Sequence, residues 1–198
     1  MKSTTLPRRA FLAGVTAVTA LVLTAACGGD MGGMDHGAKP TTAGSATFTS
    51  ADVTFAQMMI PHHQQAVTMA TLAETRAADP ELKRIAAAIK DAQAPEITTM
   101  TGWLSAWKQP TTAAGGHDMG GMPGMLTAEE LAALTAASGV AFDRLFARGM
   151  IAHHNGAIAM ARDEQSRGGD ADARALAAAI EKGQTAEVAA LRKILDRL

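Results

Sequence analysis

Apolar residues recur at every third or fourth position along two long stretches of the chain, about 50–107 and about 138–198. This spacing places them on one face of a helix, whereas a half-buried strand would alternate apolar and polar residues. A short polar break divides each stretch in two, AADP in the first and RGGD in the second. The pattern therefore predicts two helical hairpins.

The ends of the helices in the first half follow from capping residues. One helix is predicted over about 50–76, with Ser50 as its N-cap. The next is predicted over about 80–107, with Asp79 as its N-cap and Pro80 in its first turn. The first hairpin therefore has two long helices joined by a short turn.

The second half has the same organisation, with helices predicted over about 138–166 and about 170–198. The string LTAEELAALTAAS before them contains a capping box and predicts a shorter, extra helix. Pro61 and Pro95 fall inside the helices of the first half, where a proline removes a hydrogen bond and favours a kink. Alanines stand at the matching positions of the second half, so only the first half is expected to bend.

The two halves match at a constant offset of 91 residues, without a gap. The matching pairs include Asp52 and Asp143, Phe55 and Phe146, Met59 and Met150, His62 and His153, His63 and His154, Met69 and Met160, Gln93 and Gln184, and Glu96 and Glu187. Abundant alanine could explain matching alanines, but not histidine, methionine and glutamate in register. Duplication of one hairpin predicts an all-α protein, a four-helix bundle with one short extra helix.

A stripe on the first helix of each half carries methionine and histidine in the same order. Steps of three and four residues connect its members, so the stripe faces a neighbouring helix. The two stripes are Asp52, Phe55, Met59, His62, Ala66 and Met69, and Asp143, Phe146, Met150, His153, Ala157 and Met160. His63 and His154 lie about 100° further round the helix, and Glu96 and Glu187 take inward positions on the second helices.

These inward polar groups need partners, because a buried carboxylate or imidazole without one is costly. One interpretation is structural: the glutamates hydrogen-bond the histidines, and the methionines fill gaps in the core. The other is a metal site. Met59 and His62 are three residues apart and can reach one point, and a symmetric bundle brings Met150 and His153 to the same axis. Two copies of the same pattern favour the metal site.

The thioether groups indicate which metal such a site would hold. Thioether sulfur is soft and suits Cu(I), imidazole accepts either copper oxidation state, and zinc would gain little from the sulfurs. We therefore expect copper, with Cu(I) favoured over Cu(II) and with zinc or iron less suited. The predicted ligands are Met59, His62, His63, Met69, Met150, His153, His154 and Met160. Asp52, Glu96, Asp143 and Glu187 are additional candidates, either as ligands or as partners of the ligands.

Two glycine-rich strings, MGGMDHG and GGHDMGGMPGM, combine methionine with histidine outside the helical stripes. Glycine is expected to keep these strings mobile and their methionines exposed, so the methionines have no packing role. We interpret them as mobile copper-capturing arms; the alternative is a low-complexity linker. The candidate residues are Met31, Met34, His36, His117, Met119, Met122 and Met125.

The N-terminal segment reads as an export signal. Arg8 and Arg9 precede a short apolar run, and the string LTAAC ends at Cys27, the single cysteine of the chain. These features resemble a twin-arginine signal and a lipoprotein cleavage site, so residues 1–26 are predicted to be removed and Cys27 to be lipidated. A retained membrane helix and a soluble secreted chain are the alternatives. Residues 27–46 would then form a flexible tether.

Composition fits one folded domain, predicted over 47–198, with a linker at 111–126 between the repeats. The chain has 198 residues, 47% of them apolar, and a net charge of -1. No basic stripe, G-x-S-x-G string or P-loop occurs, so nucleic-acid binding, serine-based hydrolysis and phosphate-loop chemistry have no support.

The strings FAQMMIPHHQQAVTMA and FARGMIAHHNGAIAMA closely resemble the bacterial domain-of-unknown-function 305 family, whose hallmark is Met-Ile-x-His-His followed by alanine and methionine. The resemblance covers nearly all of residues 48–198. It implies a ferritin-like helical bundle, and some members of that family are periplasmic or secreted copper-binding proteins linked to copper tolerance. The site residues that it carries over are Met59, His62, His63, Met69, Met150, His153, His154 and Met160.

These observations predict a lipid-anchored copper-binding protein on the outer face of the cytoplasmic membrane, which buffers copper or passes it to a copper-transfer protein. It would not be an enzyme. One alternative is a ferritin-like redox enzyme such as a metal-dependent oxidase, which would favour a ring of carboxylates. Another is a metal-free helical interaction module. Assembly into a homo-oligomer is compatible with each of them.

Overall fold

The structure, a computed structural model, describes residues 48–112 and 122–198. These residues form five α-helices and no strand, which confirms the predicted all-α bundle. The helices are α1 (Ser50–Arg76), α2 (Pro80–Ala106), α3 (Ala128–Ala136), α4 (Gly139–Arg167) and α5 (Ala171–Arg197). The predicted signal peptide, Cys27 and the tether lie outside the described residues.

Capping side chains fix where the helices begin. Asp79 caps α2 and its counterpart Asp170 caps α5, each accepting two backbone N–H groups of the first turn. Thr49, not Ser50, caps α1. Its hydroxyl accepts from the Ala51 backbone N–H, and the Asp52 carboxylate accepts from the Thr49 backbone N–H. The helices α1 and α2 continue through the prolines at positions 61 and 95.

Four of the five helices form two hairpins packed side by side. In the first hairpin α1 lies against α2, and in the second α4 lies against α5. The hairpins meet mainly along α1 and α4, while α2 and α5 touch over a smaller area and α3 rests on α1 and α4. The stripes on α1 and α4 therefore face each other across the bundle.

The hairpins also hold each other through two matching aspartates. Asp52 on α1 accepts hydrogen bonds from the backbone N–H groups of residues 169 and 170, in the turn between α4 and α5. Asp143 on α4 accepts the equivalent bonds from residues 78 and 79, in the turn between α1 and α2. These reciprocal bonds at 91-residue spacing show that the two halves are related by approximate two-fold symmetry.

Two apolar clusters make up the core, with a polar layer between them. The first cluster includes Met69, Leu82, Ile89, Phe142, Phe146, Met150, Leu191 and Ile194. The second includes Phe55, Met59, Met100, Leu104, Trp107 and Ile180. Between members of the two clusters, each long helix contributes one or two buried polar residues, which are His62, His63, Gln93, His153, His154 and Gln184. We call these six residues the polar layer.

Among the helices built from residues 48–112 and 122–198, none has an apolar run long enough to span a bilayer.

Candidate metal centre

The centre of the polar layer is a pair of histidines from opposite halves of the chain. His62 on α1 and His153 on α4 are both fully buried. Their ring centroids lie 3.7 Å apart, with the ring planes tilted by 40°. The stripe predicted this meeting, because equivalent positions of two duplicated helices face each other at the two-fold axis.

The hydrogen bonds of this pair leave ring nitrogens without partners. His62 Nε2 lies 3.2 Å from the Pro123 carbonyl oxygen, so Nε2–H donates and Nδ1 carries the free lone pair. Within the described residues, His62 Nδ1 and both ring nitrogens of His153 have no hydrogen-bond partner. A buried polar group without a partner destabilises a fold by roughly 1–3 kcal/mol. The arrangement therefore suits a ligand that accepts these lone pairs.

Both imidazoles are held in the neutral form. Burial is the largest cause; with repulsion from His63 and His154, and against the opposing effect of the Pro123 carbonyl, it lowers the pKa of His62 to about 3. Burial likewise lowers the pKa of His153 well below its usual value, with added repulsion from His62. Neutral imidazole is the form that binds metal ions.

The outer histidines each contact a glutamate from the adjacent helix. His63 Nε2 donates to Glu96 Oε2 at 2.7 Å. His154 Nε2 also lies 2.7 Å from Glu187 Oε2, although the angles of this contact are not those of a hydrogen bond. A carboxylate beside an imidazole fixes the ring orientation, as is common next to metal ligands. Glu96 and Glu187 lie at the bundle edge rather than fully inward, with 21% and 23% of their side chains exposed.

Gln93 and Gln184 complete the polar layer and were not among the residues that the sequence pattern predicted for the site. They are 2% and 4% exposed, and they line a cavity of about 40 Å³ between α2 and α5 together with Glu96 and Glu187. Both amide atoms of Gln93, and Oε1 of Gln184, have no partner among the described residues. Their spacing could have identified them as buried, because each glutamine lies three or four residues from apolar residues on the inward face of its helix.

The thioethers flank the histidine pair at two distances along the helices. Met59 and Met150 are fully buried and precede His62 and His153 by about one helical turn, so they border the polar layer from opposite sides. Met69 is also buried, and Met160 is partly exposed. These two lie seven residues beyond their own histidines, about 10 Å along the axis. Their role as ligands stays a prediction.

Asp52 and Asp143 do not belong to this centre, which corrects the suggestion that they assist the metal. Each lies ten residues, or about 15 Å of helix, from the histidine that follows it. Burial would raise the pKa of Asp52, but hydrogen bonds from Thr49 and from the backbone of residues 169 and 170 outweigh it and lower the pKa. Their carboxylates serve the contacts between the hairpins.

The second part of the linker is folded against the centre, which corrects the expectation of exposed methionines there. Met122 and Met125 are 6% and 8% exposed. The Gln65 side chain accepts from the Leu126 backbone N–H at 2.8 Å and donates to the Leu126 carbonyl at 2.9 Å, which fastens the loop to α1. The other candidates for the arms, Met31, Met34, His36, His117 and Met119, lie outside the described residues.

Two glycines allow this loop to cover the histidine pair. Gly124 has a φ of +81°, and a Cβ atom there would lie 2.3 Å from the Ala152 carbonyl oxygen. A Cβ atom at Gly156 would lie 1.9 Å from the Pro123 carbonyl oxygen. Only glycine fits at both positions, because the loop backbone touches the α4 backbone directly.

Between residues 48 and 112 and from 122 onward, no three histidine, cysteine or carboxylate groups come close enough together to hold a metal ion. A metal ion at the histidine pair would therefore take its further ligands from other groups. The neighbouring thioethers and the Pro123 carbonyl are the donors that the structure offers.

The family comparison identifies the relatives of this chain. The sequence model of the domain of unknown function DUF305 matches residues 52–195. No curated protein matches the chain.

Three solved structures show the same relationship. A DUF305 protein from Streptomyces coelicolor, described as a candidate secreted protein, is 33% identical over 74% of this chain and 93% of its own, with a TM-score of 0.70. A DUF305 fragment from Deinococcus radiodurans is 29% identical over 76% and 99%, with a TM-score of 0.69. CopM in a Cu(II)-bound form is 34% identical over 74% and 96%, with a TM-score of 0.63. This chain, with its duplicated histidine motif and its buried histidine pair, belongs to the DUF305 family.

Proposed function

We propose that this protein is an exported copper-binding protein that takes up copper at the polar layer of its bundle. The observation that carries the proposal is the buried pair His62 and His153, whose neutral rings leave three ring nitrogens without partners in the described part of the chain. Imidazole at a dry, central position is a strong ligand for copper. Apolar clusters on both sides would shield a bound ion from water.

The comparisons support copper as the metal. CopM, which is similar to this chain over most of its length, has been solved with Cu(I), with Cu(II) and with silver bound. Silver(I) resembles Cu(I) in charge and softness, so soft donors suit both ions.

The donors beside the histidine pair favour Cu(I) over Cu(II). Met59 and Met150 place one thioether on each side of the polar layer, and thioether sulfur prefers the softer ion. His63 and His154 each lie against a glutamate, so we assign them to orienting the central pair rather than to ligation. We propose that the protein buffers Cu(I) or passes it to another copper protein, without turning over a substrate.

The place of action that we propose is the outer face of the cytoplasmic membrane. The leader and Cys27 suggest a lipid anchor. The similarity to a candidate secreted protein supports export in general. Intact mass of the protein from the membrane fraction, compared with a Cys27→Ser variant, would detect a diacylglyceryl group on Cys27.

A Cu(I) titration tests the copper proposal directly. The protein would compete with a coloured Cu(I) chelator under reducing conditions, next to a His62→Gln, His153→Gln double variant whose helicity is checked by circular dichroism. We expect the tight equivalent of Cu(I) to be lost in this variant and kept in a matched His36→Gln, His117→Gln variant. The opposite pattern would move copper binding to the glycine-rich strings.

A further inference from the structure

We propose a second site for a soft monovalent cation, formed by Met58, Met160 and Glu164 at the end of the bundle where α1 begins. These three side chains line a single cavity of about 410 Å³ between α1 and α4. Along α4 it is separate from the histidine pair, because Met160 and Glu164 follow His153 by seven and eleven residues, or about 10 and 16 Å. The proposal therefore stands independently of copper binding at the polar layer.

Glu164 is the buried acidic group of this cavity. It is 1% exposed, and within the described residues neither of its carboxyl oxygens has a hydrogen-bond partner. The neighbouring polar group is Asp52. The oxygens of Asp52 already accept hydrogen bonds from Thr49 and from the backbone of residues 169 and 170. A buried carboxyl without a donor is unfavourable. A cation in the cavity would supply the missing partner.

The two thioethers decide the kind of cation. Met58 and Met160 are half-buried and border the cavity from α1 and α4. Met160 and Glu164 are four residues apart and share one face of α4. A pair of thioethers selects soft ions. Asp163 also lines the cavity but is paired with Arg167, which leaves Glu164 as the carboxylate that can balance one positive charge. Ag(I) and Cu(I) combine both properties, whereas Mg²⁺ and Ca²⁺ require several oxygen ligands.

The duplication shows that this combination occurs in only one half. At the 91-residue offset, Met58, Met160 and Glu164 correspond to Gly149, Met69 and Ala73. The other end of the bundle thus keeps one methionine but lacks the second thioether and the carboxyl. Packing at equivalent positions does not require a buried glutamate, since alanine fills the matching place in a fully buried cluster.

The test uses the full chain labelled with ¹³C at its methionine methyl groups and titrated with Ag(I), which has no competing oxidation state under these conditions. Signals of Met58 and Met160 are assigned from Met58→Leu and Met160→Leu variants. We expect both signals to shift together on Ag(I) binding, and to do so equally in the His62→Gln, His153→Gln variant. That second result separates this site from the copper site of the polar layer.

Two further variants decide the role of the donors. Glu164→Gln keeps the shape of the side chain and removes its charge, so the Ag(I) concentration that half-shifts the Met58 and Met160 signals should rise at least about tenfold. The matched control is Met100→Leu, a fully buried methionine of the same apolar cluster that does not line the cavity, and it should leave this titration unchanged. The proposal would be overturned if the methyl signals of Met58 and Met160 stayed fixed while Ag(I) shifted other methionine signals. An unchanged titration in Glu164→Gln would overturn it as well.

Discussion

The four motif histidines fall into two chemically different pairs. His62 and His153 meet at the centre of the bundle, whereas His63 and His154 each lie against a glutamate of the adjacent helix. Adjacent positions on one helix differ by about 100°, which is enough to send one ring to the axis and the next toward the neighbouring helix. A doubled histidine thus provides both a ring at the bundle centre and a ring beside a carboxylate.

Soft donors beside the central pair predict a metal-selective loss of affinity. Replacing Met59 and Met150 together by leucine should weaken Cu(I) binding by at least about tenfold and leave Zn²⁺ binding nearly unchanged, because leucine conserves volume but removes sulfur. Parallel competition titrations with the two metals measure the difference. Met100→Leu is the control for a buried methionine away from the polar layer. Equal losses for both metals would contradict thioether ligation.

The raised pKa of Glu164 predicts that the free energy of unfolding falls as the pH rises. Burial is the main cause, and the neighbouring Asp52 carboxylate adds to it, so that the pKa of Glu164 is raised from 4.5 to about 8. The folded state then holds a proton that the unfolded state releases above about pH 4.5, so its stabilising effect is complete below that pH and is lost as the pH rises through 8. Between pH 6 and 9 the metal-free protein should lose about 2–3 kcal/mol of its free energy of unfolding.

Urea denaturation of the wild type and of Glu164→Gln at these two pH values measures this loss. The variant lacks the ionisable group, so its stability should change less over the same interval. Parallel pH profiles for both proteins would show that another group is responsible.

At the scale of elements, the loop around Pro123 determines how the histidine pair is reached. It contacts α4 backbone to backbone at two glycines and is tied to α1 by Gln65. The Pro123 carbonyl oxygen of this loop accepts the hydrogen bond from His62 Nε2–H. A metal ion that binds this nitrogen must first displace the loop, while Nδ1 is available without that step.

Gly156→Ala should therefore displace the loop and its Pro123 carbonyl without changing a side-chain donor. The new methyl group would overlap the Pro123 carbonyl, so we expect a loss of about 1–3 kcal/mol in unfolding free energy, and faster amide exchange at the loop and its neighbours. Gly102→Ala is the matched control, because a Cβ there meets nothing within 4 Å on an exposed helix position. It should stabilise the protein by about 0.5–1 kcal/mol. Similar effects of both changes would rule out a tight loop contact.

Local signals in the sequence predicted the helices well, because caps and apolar spacing act over one or two turns. Asp79 and Pro80 are enough to locate the start of α2, and the capping box is enough to locate the start of α3. The predicted N-cap of α1 was one residue too late. Thr49 and Ser50 are both good caps, and the hydrogen bond to Asp52 distinguishes them.

Contacts between distant segments were less predictable. Asp52 and Asp143 occupy the stripe like metal ligands, but their partners are turns of the opposite hairpin, more than 60 residues away. Met122 and Met125 follow glycines typical of mobile segments, yet the loop packs because glycines on both sides allow close approach. In each case the deciding partner lies far away in sequence.

For the whole molecule, the polar layer lowers the stability of the metal-free state. Six buried polar residues interrupt what would otherwise be one continuous apolar core. A ligand that binds only the folded state adds about 4 kcal/mol at a concentration 1,000 times its dissociation constant. The proposed metal binding at this layer would therefore be coupled to folding.

Saturating Cu(I) or Ag(I) should accordingly raise the Tm by roughly 10 °C, since 1 kcal/mol corresponds to about 2–4 °C for a protein of this size. Calorimetry of the full chain with and without metal measures the change. The His62→Gln, His153→Gln variant should lose most of the increase. An increase that persists in this variant would place the stabilising metal elsewhere.

The reciprocal bonds of Asp52 and Asp143 have the form of an isologous interface, in which two identical subunits present the same surface to each other. Here both subunits are encoded in one chain. Two separate copies would have to carry every substitution twice, whereas a fused pair can specialise one side. Glu164 and Met58 stand where the opposite half has alanine and glycine. Fusion allowed this protein to keep a symmetric centre and to build a different chemistry at one end.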